Sequence, residues 1–203
     1  MELFCLLAIL SMFVTLVILP SLRGPQARPA RINCTNNLKL VGLAFHQWAL
    51  DHNDRYPMQT SVTNGGTLEL VESGFVWPHF QVLSNELNTP KVLTCLADKG
   101  RVAASSFQTN FNNSAISYFV GLHAEQSLPQ MFLAGDRNIT NRPGLRSGMV
   151  IWVTNEFVGW THEMHGRQGN VLLTDGSVQG FSNSRLSEAL QNTGVVTNRL
   201  AMP

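Results

Sequence analysis

The chain has 203 residues, with 14 Lys plus Arg against 13 Asp plus Glu, a formal net charge of +1. That balance excludes the basic excess of a nucleic-acid module, and 44% apolar with only 13% charged residues excludes a disordered, solvating chain. There is room for one medium-sized core, and 3 cysteines are too few for a disulfide-dense scaffold. The run from Leu3 to Leu22 carries no charged residue. As a helix it would span about 30 Å, the hydrocarbon thickness of a bilayer. Leu3, Phe4, Leu6, Leu7, Ile9, Leu10, Phe13, Val14, Leu16, Val17, Ile18 and Leu19 are the expected membrane-anchor residues. A cleaved secretory signal is the competing reading. Only Met1 and Glu2 precede the run, no basic residue stands there and no small-residue cleavage site follows, so a retained anchor fits better. Arg23, Arg28 and Arg31 follow the run. The positive-inside rule would keep the C-terminal part in the cytoplasm, whereas the cysteines discussed below point outward.

Residues 23–31 (RGPQARPAR) read as a hinge, because Gly24, Pro25 and Pro29 disfavour a continuous helix. Helical spacing resumes at Ile32: Cys34, Leu38, Val41, Phe45 and Trp48 share one face, with Asn36, Lys39 and Gln47 opposite. The segment ends at the polar cluster Asp51 to Pro57, and Asn64-Gly65-Gly66 marks a loop tip. A short helix is expected from His79 to Leu87, a strand from Lys91 to Cys95, and a loop from Ala97 to Ser114. Ile116 to Leu122, Gln130 to Ala134 and Met149 to Thr154 read as buried strands. Asn170 to Thr174 and Ser177 to Phe181 flank Asp175-Gly176, the signature of a hairpin with a type I′ turn. Ser184 to Gln191 reads as a short C-terminal helix. The expected organisation is an anchor over 1–22, a hinge over 23–31 and an α+β head over 32–203, in which an amphipathic helix packs on an antiparallel sheet with a C-terminal hairpin.

Three groups of residues carry a family resemblance. The first helix holds Cys34-Thr35-Asn36-Asn37-Leu38-Lys39, the middle holds Cys95-Leu96-Ala97-Asp98, and near the end His165 is followed after nine residues by Asp175-Gly176, with Gly169-Asn170-Val171 between. From about Ile32 onward the chain resembles the bacterial pseudopilin-like proteins, relatives of type IV pilins and type II secretion pseudopilins. Members commonly show Cys-x-x-Asn-Leu-Lys, Cys-Pro-x-Asp and His-x9-Asp-Gly. The resemblance implies a pilin-like fold, a single-pass anchor in the bacterial inner membrane, and a head in the periplasm or at the cell surface. It implies a non-enzymatic structural role, with pilin-like or secretion-system subunits as partners through the N-terminal helix. The chain departs from the family where Met1-Glu2-Leu3-Phe4 lacks the leader and its glycine–phenylalanine junction, and where Leu96 replaces the common proline.

Cys5 lies inside the apolar run and reads as inert. Cys34 and Cys95 are the pair of interest. A disulfide between them would tie the helix to the head and requires an oxidising compartment. Two buried free thiols are the alternative, and zinc is the weaker reading because neither belongs to a Cys-x-x-Cys pair. His162-Glu163-Met164-His165 is the other cluster: on a helix the two imidazoles would share a face and Asp175 could complete a site. Gly159, Gly166 and Gly169 argue for loop, and Asp175 is used by its turn. No metal or cofactor is therefore expected, with His162, His165 and Asp175 as the weak candidates. The chain has no Gly-x-Ser-x-Gly elbow and no phosphate-binding Gly-x-x-x-x-Gly-Lys loop. Asp136-Arg137 is read as a buried ion pair anchoring a loop. Trp48, Trp77, Trp152 and Trp160 are read as core, and an open groove exposing Trp77, Trp152 or Trp160 would instead favour a periplasmic or cell-surface module binding a glycan or peptide.

Overall fold

A computed structural model describes Phe4, residues 11–13 and residues 27–203. Phe4 and Ser11 to Phe13 are helical, and Phe4, Met12 and Phe13 are exposed. The rest of the expected anchor, and residues 23–26 of the expected hinge, lie outside the described residues. Among the described residues no helix is long and apolar enough to cross a membrane.

Helix α1 runs Ala27–Leu50, so the last part of the expected hinge is helix instead. Pro29 falls in the first turn, where the missing N–H would have had no helical partner. Cys34, Leu38, Val41, Phe45 and Trp48 are all buried, as the spacing predicts. At Gly42 a Cβ would lie 2.8 Å from a methyl of Leu172, so the absent side chain lets the helix sit close on the sheet. Short 3₁₀ segments and the short helices α2 (Trp77–Gln81) and α3 (Ser84–Leu87) follow.

The expected strand from Lys91 to Cys95 does not form. Pro90–Leu93 is a 3₁₀ turn, entered by Thr89, whose hydroxyl accepts from the Lys91 N–H. Pro90 at the first position presets its φ and has no N–H to offer a ladder.

Among the described residues, eight strands make two antiparallel sheets. They are β1 (Tyr118–Gly121), β2 (Phe132–Asp136), β3 (Ile139–Asn141), β4 (Met149–Val153), β5 (Val158–Trp160), β6 (Gln168–Leu173), β7 (Val178–Ser182) and β8 (Thr197–Ala201). The larger has six strands in the order β4-β8-β1-β2-β6-β7; β3 and β5 form the smaller. Helix α4 (Asn183–Gln191) lies between β7 and β8. The hairpin forms, but it is not the last element, since α4 and β8 follow and β8 enters the sheet between β4 and β1.

The hairpin turn also differs from expectation. Only Gly176 is left-handed (φ 82°), Asp175 is not, and the Gly176 N–H donates to Leu173 O at 3.0 Å. This is a three-residue loop, a tight turn closed by a left-handed glycine, rather than a two-residue type I′ turn. The Asp175 carboxylate accepts from the Ser177 N–H at 2.8 Å and holds the turn.

Strand alternation sends side chains to two cores. Tyr118, Val120, Leu133 and Leu172 face α1 and the loops beside it. Phe119, Phe132, Val171 and Leu173 face away, covered by Leu186 and Leu190 of α4 and by Trp160 of β5. The structure is thus α+β: a long helix on one face of a six-stranded antiparallel sheet, and a second apolar layer on the other.

Candidate functional site

Cys34 on α1 and Cys95, just past the 3₁₀ turn, form a disulfide with Cα atoms 5.2 Å apart. Both are buried. Asn37, one turn along α1, donates to Thr94 O at 3.3 Å, so the helix also grips the backbone beside Cys95. The Asp98 N–H donates to Cys95 O at 2.9 Å and closes the turn after the cysteine.

His165 is brought to this disulfide. Its Nε2 lies 3.4 Å from Cys95 Sγ and 3.5 Å from Asp136 Oδ2. Its side chain is 2% exposed. The loop carrying it is fixed from several sides. Asn138 Nδ2 donates to the carbonyls of Thr161, Met164 and Gln168 at 3.1 to 3.2 Å. Glu163 accepts from Arg137 at 2.8 Å. Three successive residues have positive φ: His165 at 45°, Gly166 at 60° and Arg167 at 61°. Two of the three carry side chains, which rarely take this conformation.

Asp136 ends β2 and is fully buried. Its Oδ2 accepts from the Asn170 N–H at 2.6 Å and from Asn170 Nδ2 at 2.9 Å, while Oδ1 has no partner among the described residues. Burial pushes the carboxyl up to about 7, against the lowering effect of the two Asn170 bonds. Burial, with the positive charge of Arg31, holds His165 below its usual value. The His165–Asp136 contact is therefore a meeting of a neutral ring with a carboxyl that titrates near neutrality, not a charged pair. Arg31 on α1 donates to Asn170 Oδ1 at 3.4 Å and to Gln168 Oε1, so the helix, β6 and the buried carboxyl are tied together.

The expected Asp136–Arg137 pair is not formed: the Asp136 carboxylate at the end of β2 is taken by Asn170, and Arg137 lies in the turn that follows. Arg137 instead binds both oxygens of buried Asp98, at 2.7 and 2.9 Å. Burial would raise the Asp98 carboxyl, but the Arg137 bonds and charge outweigh it and hold it below the usual range.

The weak metal candidates are not brought together. His162 is exposed, and Asp175 belongs to the hairpin turn beside Tyr56, whose hydroxyl is pushed up by burial and then by the Asp175 charge. Only His165 joins a cluster, and its companions are Cys34 and Cys95, with all three donor atoms within 4.8 Å of one another. Asp136, Asn170 and Arg31 were not singled out as members of such a site. The available signal was a carboxylate closing the otherwise apolar run Met131 to Ala134. Trp48, Trp152 and Trp160 are buried, so the last two expose no ring to a groove; Trp77 is half-buried. The cleft between α1 and edge strand β7 is lined by Ile32, Lys39, Val178 and Gly180 instead.

Comparisons with family profiles, with curated proteins and with solved structures give no match.

Proposed function

We propose that this chain is a non-enzymatic, pseudopilin-like structural protein, anchored in the bacterial inner membrane by the apolar segment 3–22, with its head in the periplasm or at the cell surface. It acts by helix packing, as a subunit of a type II secretion or type IV pilus-like assembly. The observation that carries this reading is α1. While one face is buried on the sheet, the opposite face leaves Ile32, Leu40, Leu43 and Leu50 exposed at 62, 49, 66 and 68%. Their spacing puts them in one stripe along the helix, the side on which a neighbouring helix would pack. Further support comes from the residues that carry the family resemblance. Cys34, Asn37, Cys95, Asp98 and His165 lie far apart in the sequence, yet all serve the junction between α1 and the head. Such a junction suits a protein whose head must follow its helix.

Protease treatment of intact spheroplasts tests the reading. A head digested from outside, with a membrane-protected remnant, is the expected result. A head cut only after lysis would place it in the cytoplasm and refute the proposed topology.

A further inference from the structure

We propose that Cys34, Cys95 and His165 make a redox-gated zinc site, its fourth position left to solvent, closed while the disulfide stands and opened by its reduction. The proposal is independent of the pseudopilin-like reading, since it rests only on these three side chains. The two Sγ atoms and His165 Nε2 lie within 4.8 Å of one another. With zinc–sulfur bonds of about 2.3 Å and zinc–nitrogen or –oxygen bonds of about 2.0 Å, a tetrahedral site has sulfur–nitrogen edges of about 3.5 Å and nitrogen–oxygen edges of about 3.3 Å. The observed separation from Cys95 Sγ to His165 Nε2 is 3.4 Å, so this edge of the tetrahedron already stands near its bonded length. The sulfurs are the exception, because the covalent bond between them leaves no room for an ion.

Asp136 borders the site without joining it: its Oδ2 is held by Asn170. Asn138 and the Arg137–Glu163 contact fix the loop that presents His165 in its left-handed conformation.

The opening step balances with a dithiol as reductant. The dithiol supplies two electrons and two protons, the Cys34–Cys95 bond breaks, two thiols form, and the dithiol becomes its own disulfide. Zinc then displaces the two thiol protons to solvent and binds neutral His165 through Nε2. Metal and disulfide are mutually exclusive, so the same junction is held by a covalent bond in one redox state and by an ion in the other.

Cobalt titration of the full chain in detergent, oxidised and after reduction, tests this. The reduced chain is expected to take up one equivalent, with the intense ligand-field bands of tetrahedral cobalt and a thiolate-to-cobalt charge-transfer band; the oxidised chain is expected to show neither. His165→Gln should weaken binding by more than about 10-fold. The variant keeps the disulfide, so its folding is checked in the oxidised state by near-ultraviolet circular dichroism. Alkylation supplies an independent readout: one equivalent of zinc should slow labelling of Cys34 and Cys95 in the reduced parent by more than about 10-fold. No cobalt spectrum in the reduced chain, the same spectrum in the oxidised chain, undiminished binding by the folded variant, or labelling indifferent to zinc would each overturn the proposal.

Discussion

On the face of the sheet away from α1, Phe119, Phe132 and Phe181 stack in a row, with ring centres 6.4 and 6.1 Å apart, and Leu186 and Leu190 close over them. On the face toward α1, the apolar core gives way at the N-terminal end of the helix to a disulfide, a histidine, a buried carboxyl and an arginine. One face is closed by area alone. The other combines area with a covalent tie and a polar cluster whose parts depend on redox state and pH. Apolar packing is indifferent to both variables at ordinary conditions, so the contrast is open to experiment.

The largest effect is expected on the apolar face. Trp152 is completely buried, and Trp152→Ala should cost about 4 kcal/mol, equally with and without reductant, by chemical denaturation of the detergent-solubilised chain. A cost that depends on reductant would mean that the two faces are coupled. Next comes the covalent tie. The disulfide spans 61 residues, and the loop-entropy argument gives about 4 kcal/mol as the upper range of its effect. The paired substitution of Cys34→Ser with Cys95→Ser should approach that loss in stability, and reductant should then have no further effect. A residual response to reductant in the paired variant would contradict the assignment of the redox sensitivity to this bond.

Arg137→Met should follow, at about 3 kcal/mol, because it leaves the Asp98 carboxylate buried without its two-toothed partner. Asp98 is held below the usual carboxylate range, so in the parent its contribution is present above the unfolded value and is lost as pH falls through the lower folded value. The variant should lose that acid-side dependence, which denaturation at several pH values checks. Asp136 gives a signal of opposite sign, spread over the pH range between its unfolded and folded values. Its folded value is raised to about 7, so its contribution is fully present below the unfolded value near 4 and declines as pH rises through 7. The decline should not exceed about 1.4 kcal/mol per pH unit, and Asp136→Asn should flatten it. An unchanged pH profile in that variant would show that Asp136 is not the group responsible.

The α1 face and the hairpin were legible from the sequence because both are local patterns: a 3.6-residue stripe from Cys34 to Trp48, and apolar runs on either side of Asp175-Gly176. Strand β8 was not, since Thr197, Asn198 and Arg199 obscure the alternation, and its place between β4 and β1 is set by distant partners. The 3₁₀ turn at Pro90 displaced an expected strand because a capping threonine and a proline outweighed the β-branched residues after them. At the site, the two cysteines were identifiable as a pair, with free thiols left as the alternative. The sequence placed His165 with His162 and Asp175, its neighbours along the chain; the structure places it with Cys95 and Asp136, its neighbours in space. Spacing along a chain reports ligand sets only where one element supplies them, and here α1 and two loops contribute.

On the proposed reading, the apolar N-terminal segment holds this head at a membrane, in a compartment where Cys34 and Cys95 are joined. The most direct measurement is mass spectrometry of the protein recovered from fractionated cells, alkylated under denaturing conditions before and after reduction. Recovery in the membrane fraction is expected, with Cys34 and Cys95 unlabelled until reductant is added and both labelled afterwards. Recovery in the soluble fraction with both cysteines labelled at the outset would contradict it.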